Sequence, residues 1–81
     1  MTFERARGAA LALLAARSPD ASICPSEVAR AIAAHGKWRS EMSIVHAAVD
    51  ALLEQGIVEL SWKGRPLASR AGPYRIKASA L

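Results

Sequence analysis

The sequence predicts a small α+β fold, mostly α, from three observations. Apolar residues recur at helical spacing in three segments before residue 56. They alternate with polar residues in two short segments after it, 57–62 and 74–77. The chain has 81 residues, room for one domain over 1–81 with a core over about 3–78. That length excludes a two-domain enzyme or a large α/β barrel. Of the 42 apolar residues 18 are alanine, which buries little area. The core must therefore come from about two dozen larger side chains, and marginal stability is expected.

Phe3 to Arg17 reads as the first helix, rich in Ala, Leu and Arg. Phe3, Ala10, Leu11 and Leu14 fall on its inward side; Arg5, Ala9, Ala12 and Ala16 fall on the other. Ser18-Pro19-Asp20 stops it. Ala21-Ser22-Ile23 reads as a loop with one bridge of strand. Cys24-Pro25-Ser26-Glu27 opens the second helix, with Pro25 at its first position and Glu27 placed to reach back as a capping-box acid. Val28, Ala29 and Ile32 form its buried face, and Gly36 is expected to end it.

Lys37-Trp38-Arg39-Ser40 connects to a third helix, which starts between Ser40 and Ser43 and runs to Gln55. Met42, Val45, Ala48, Val49, Leu52 and Leu53 make its apolar stripe, and Gly56 suits the position just beyond its end. In the next segment Val58, Leu60 and Trp62 share one face of a strand, with Trp62 expected in the core or at the hairpin base. Lys63-Gly64-Arg65-Pro66 breaks that strand. A loop through Ala71-Gly72-Pro73 leads to a second strand, in which Tyr74 and Ile76 face one way and Arg75 and Lys77 the other. Three helices bury such a hairpin most simply by packing it against one edge of the bundle. That is the layout of a winged helix-turn-helix: a three-helix bundle with a C-terminal β-hairpin wing.

Several segments taken together resemble a known family. They are Ile23-Cys24-Pro25-Ser26-Glu27-Val28-Ala29-Arg30, then Trp38-Arg39, Met42, Lys63-Gly64-Arg65-Pro66 and Gly72-Pro73. They are similar to an uncharacterised bacterial family catalogued as a domain of unknown function and winged-helix-like. The resemblance covers roughly residues 3–78, and the Cys-Pro-Ser-Glu-Val-Ala segment is its most specific part. It implies the fold and carries no biochemical activity.

The net charge is +4, unevenly spread. Residues 1–40 sum to +3, residues 41–60 to −4 and residues 61–81 to +5. A basic C-terminal quarter admits a polyanionic partner. In a helix-turn-helix the second helix of the motif enters the major groove by its N-terminus. The candidate DNA-contacting residues are therefore Lys37, Arg39, Ser40, Ser43 and His46 near the start of the third helix, with Lys63, Arg65 and Arg70 on the wing. Asp50 and Glu54, on the outward face of that helix with Ser43 and Ala47, would repel phosphate. Four neutralised phosphates would give a log–log salt slope of roughly −3.6. Double-stranded DNA is the first expected partner. The alternative is a protein-interaction module on the same scaffold, or a homodimer paired through Ala9, Ala12 and Ala16.

Other constellations point to ordinary structural roles. Cys24 is the only cysteine, so an intramolecular disulfide is excluded, and it reads as a small helix-cap residue. His35 and His46 have no zinc-ligand spacing with it and read as surface or boundary histidines. Ser43, His46 and Asp50 lie a turn apart on one helix, but an exposed helix supplies no oxyanion hole or pocket. Gly36-Lys37 lacks the rest of a phosphate loop. Trp38 is expected to pack the turn. No enzyme, metal, cofactor or small-molecule substrate is expected. Arg5 and Arg7 precede the uncharged run Gly8 to Ala16, which is too short to span a bilayer. Glu4 in the would-be basic region, and Ile23 beside Cys24, argue against a leader, so the expected site is the cytoplasm and not a membrane.

Overall fold

The computed structural model describes residues 2–34 and 36–79. Helix α1 spans Phe3–Ala15, capped by the Thr2 side chain, which accepts from the Arg5 amide at 3.2 Å. Its buried residues are Ala6, Ala10 and Leu14. Phe3, expected on the inward face, is 37% exposed. Ala6 takes the buried place one turn later, and small Ala6 and Ala10 let α1 approach the third helix closely, leaving Phe3 at the open end of the interface.

Strand β1, Ser22–Ile23, leads into helix α2, Pro25–Ile32. The expected capping contact forms, with the Cys24 amide donating to Glu27 Oε2 at 2.7 Å. Arg17 donates to the other carboxylate oxygen at 2.6 Å and ties the end of α1 to the start of α2. These bonds hold the Glu27 carboxyl below its ordinary value, the Cys24 amide first and Arg17 after burial, which opposes them. Helix α2 stops at Ile32, four residues short of Gly36. Ala33 is already extended, with φ −83° and ψ 147°. Alanine at 33 and 34 favours helix, so the early stop is tertiary: the chain must turn here to pack its next helix on α2. Gly36 serves in that turn, at φ +76°.

A 3₁₀ turn, Trp38–Glu41, runs into helix α3, Met42–Glu54. The apolar stripe of α3 lies as expected, with Val45, Ala48, Val49 and Leu52 buried and Met42 and Leu53 packed against them. Its end is a Schellman motif. Gly56, at φ +75°, donates to the Leu53 carbonyl and Ile57 to the Leu52 carbonyl, both at 3.0 Å.

The sheet has four strands where the alternation predicts two. Beyond β1 they are β2 (Val58–Trp62), β3 (Arg65–Leu67) and β4 (Arg75–Ala78), in the antiparallel order β1-β4-β2-β3. The stretch from Lys63 to Pro66, expected as a break, is a two-residue turn followed by a strand. Lys63 and Gly64 both have positive φ, 51° and 79°, as the tight turns that match strand twist require. Pro66 is tolerated because it lies on an edge strand. Trp62 and Arg65 flank the turn and Pro66 pairs with Ser61, the next pair along. In an antiparallel ladder that next pair is not hydrogen-bonded, so the proline nitrogen faces outward and blunts the free edge.

The three helices pack on one another, and α3 covers the inner face of β2. Ile23, Val28, Val45, Leu52, Leu60, Tyr74 and Ile76 are among the larger members of the core. Trp62, expected in the core or at the hairpin base, is 39% exposed. Its phase is the one expected, on the side of Val58 and Leu60, but the strand outruns the helical layer that would cover it.

Candidate functional site

The start of α3 gathers positive charge. Lys37 and Arg39 are exposed on either side of Trp38, and the Ser40 hydroxyl donates to the Lys37 carbonyl at 2.8 Å, bracing the turn. Trp38 is half-buried against the core and carries two guanidinium groups. Arg39 stands 4.5 Å from the ring centroid and Arg30, from the last turn of α2, stands 4.7 Å from it. Each is a cation–π contact. Together they hold two like charges beside Lys37, at the positive end of the α3 dipole. Ser43 lies exposed on the first turn of α3. Arg30 was not among the residues predicted from sequence. Its signal would have been an arginine on the exposed face of α2, one short connection before a tryptophan.

The hairpin carries Lys63 in its turn and Arg65 opposite Trp62, all three exposed. Its main packing partner for β3 is β2, so the tip stands out from the helices.

His46 and Arg70 are engaged elsewhere. The Arg70 guanidinium donates from Nε and one terminal nitrogen to the two Asp50 oxygens, at 3.1 and 3.0 Å. Such exposed pairs contribute about 0–1 kcal/mol to stability. The larger consequence is electrostatic: the Asp50 carboxylate on the outward face of α3 is neutralised in place. His46 Nδ1 shares a 2.7 Å hydrogen bond with the Tyr74 hydroxyl. Burial, and then the nearby Arg70, hold the imidazole below its ordinary value, with Asp50 opposing. The Tyr74 phenol is pushed upward, chiefly by burial. Burial thus disfavours the imidazolium form of His46, and its Nδ1 is committed to Tyr74. Ser43, His46 and Asp50 form no relay, because His46 turns to Tyr74 and Asp50 to Arg70. His35 lies outside the described residues. Cys24 Sγ lies 3.1 Å from Ser26 Oγ and is half-buried at the α2 cap.

Of the sequence-predicted contact residues, the structure thus brings together Lys37, Arg39, Ser40 and Ser43 at one end of α3, and Lys63 with Arg65 at the hairpin tip. It sets His46 and Arg70 in a separate polar cluster. Among the described residues no helix is long and apolar enough to cross a membrane.

A search of curated proteins finds no match to this chain. The family described as "Protein of unknown function (DUF3253)" matches residues 4–79, which takes in every element above except the first residue of α1. The chain belongs to that family.

Proposed function

We propose that this domain is a winged helix-turn-helix that binds double-stranded DNA through the start of α3 and the β2–β3 hairpin, with the cytoplasm as its place of work. The observation that carries this reading is the cluster of Arg30, Lys37 and Arg39 around the first turn of α3, two of them fixed on Trp38. The order of elements supports the winged arrangement: β1, between α1 and α2, pairs with the last strand, and the β2–β3 hairpin, exposed from residue 62 to 66, forms the opposite edge of the sheet. The Asp50–Arg70 pair removes the main objection to α3 approaching phosphate, since only Glu54 keeps an uncompensated charge on its later turns.

Five cations then face the duplex: Arg30, Lys37, Arg39, Lys63 and Arg65. If each neutralises one phosphate, the salt slope is about −4.5, and affinity falls about 500-fold between roughly 50 and 200 mM salt. Fluorescence anisotropy of a labelled mixed-sequence duplex measures this. A slope near that value, reduced in Lys37→Ala/Arg39→Ala and in Lys63→Ala/Arg65→Ala, supports the reading. Undetectable binding at low salt to any of a random pool of duplexes would end it and leave the protein-interaction module in first place.

A further inference from the structure

The hairpin tip offers a ring and two charges that the fold leaves unused. Trp62 and Arg65 are directly opposite each other across β2 and β3, so both project from one face, and Lys63 sits in the turn between them. No side-chain hydrogen bond, ion pair or ring contact among the described residues engages any of the three. A single exposed apolar side chain is ordinary. Here the indole stands on a two-residue turn with two unpaired cations, in a chain with no Asp or Glu after Glu59.

The partner that fits is a polyanion that also offers a flat apolar face. Nucleic acid with an unstacked base has both. An anionic membrane surface would suit a tryptophan beside basic residues, but it needs more buried apolar area than one ring flanked by Gly64, Arg65 and Pro66 provides.

We propose that Trp62 stacks on an unpaired base while Lys63 and Arg65 hold the flanking phosphates. The protein then prefers DNA carrying unstacked bases, such as a bulge, gap or frayed end, to a continuous duplex. This rests on the DNA-binding reading above and adds the kind of DNA to it.

The test uses the full chain and two labelled DNAs of equal length, a continuous duplex and the same duplex with a short central bulge. Wild type binds the bulged DNA more tightly. Trp62→Ala loses about tenfold on the bulged DNA and under about twofold on the continuous one, as expected for loss of one stacked base. Trp62→Phe keeps most of the preference. In a Trp38→Phe background, the remaining Trp62 emission is quenched by the bulged DNA. Circular dichroism checks that each variant is folded.

Continuous-duplex binding with no bulge preference, or with a preference that survives in Trp62→Ala, overturns the stacking proposal and leaves the DNA-binding reading intact. Binding to neither DNA overturns both. Binding of wild type, but not Trp62→Ala, to phosphatidylserine vesicles with no DNA binding replaces the base with a membrane surface.

Discussion

The two tryptophans of this chain each stand beside two basic residues, yet the two regions are built in different ways. Trp38 is half-buried and carries Arg30 and Arg39 stacked within 5 Å of its ring. Its cations are fixed in place, and the ring is both a core residue and the support that orients them. Trp62 is exposed, and Lys63 and Arg65 beside it make no such contact. The difference follows from what lies over each ring. Trp38 sits where α2, the 3₁₀ turn and α3 converge, whereas Trp62 lies beyond the edge of the helical layer. A stack closed by the protein itself gives a preorganised charged surface. An open ring with free charges can close only on a partner.

The largest expected effect separates the two regions by charge. Arg30→Ala/Lys37→Ala/Arg39→Ala removes three of the proposed phosphate contacts. It should flatten the salt slope by about 2.7 and weaken duplex binding on the order of a hundredfold or more at low salt. Lys63→Ala/Arg65→Ala should flatten it by only about 1.8. Anisotropy titrations at several salt concentrations read both, and equal slopes in all three proteins would dissolve the comparison.

Next comes stability. Trp38→Ala removes a half-buried ring and the support of two arginines, and should cost about 2 kcal/mol, lowering the thermal midpoint by roughly 8–16 °C. Trp62→Ala removes a ring that is 39% exposed and supports no stacked cation, and should cost less, about 1 kcal/mol. Thermal melts followed by circular dichroism distinguish them. A large loss from Trp62→Ala would mean that the hairpin tip packs on the bundle after all.

A smaller effect tests the hairpin turn. Lys63 holds a left-handed conformation, at φ 51°, which asparagine tolerates better than lysine. Lys63→Asn should leave the protein at least as stable, by up to about 0.5 kcal/mol, while weakening DNA binding through loss of one charge. Binding unchanged in a folded Lys63→Asn would remove Lys63 from the interface.

The smallest effect lies in the polar cluster apart from both regions. His46 is held below its ordinary value, so as pH falls the unfolded chain takes up this proton first. The stability that neutral His46 contributes is complete above about pH 6.5 and is lost as pH falls through the lower folded value. Glu27 adds its own loss only at more acidic pH, since its carboxyl is held below 4.5. Thermal midpoints between about pH 7.5 and 5 should fall in wild type and stay flatter in His46→Gln. A parallel fall in both would remove His46 as the cause.

Much of this architecture is legible in the residue order, because it rests on local chemistry. Pro25 and Glu27 announce the start of α2, Gly56 the end of α3, and the 3.6-residue stripe from Met42 to Leu53 its buried face. The features that were not legible depend on contacts distant in sequence. The early end of α2 contradicts the helix propensity of Ala33 and Ala34. Strand β3 hid behind Pro66, which reads as a breaker unless the strand is known to be at an edge. Alternation gave Trp62 its correct side, but not the extent of the helical layer that would have covered it. At the candidate site Lys37 and Arg39 were visible by position. The arrival of Arg30 on Trp38 and the pairing of Arg70 with Asp50, 20 residues away, were not.

A chain of 81 residues suits two-dimensional amide NMR, in which the two indole N–H groups give separate signals. Titration of labelled protein with a short duplex at low salt should shift the amides of residues 37–43 and 63–65 and both indole signals, while the exposed face of α1 around Ala12 and Ala16 stays still. Shifts confined to α1, or none anywhere at saturating DNA, would contradict binding through the start of α3 and the hairpin.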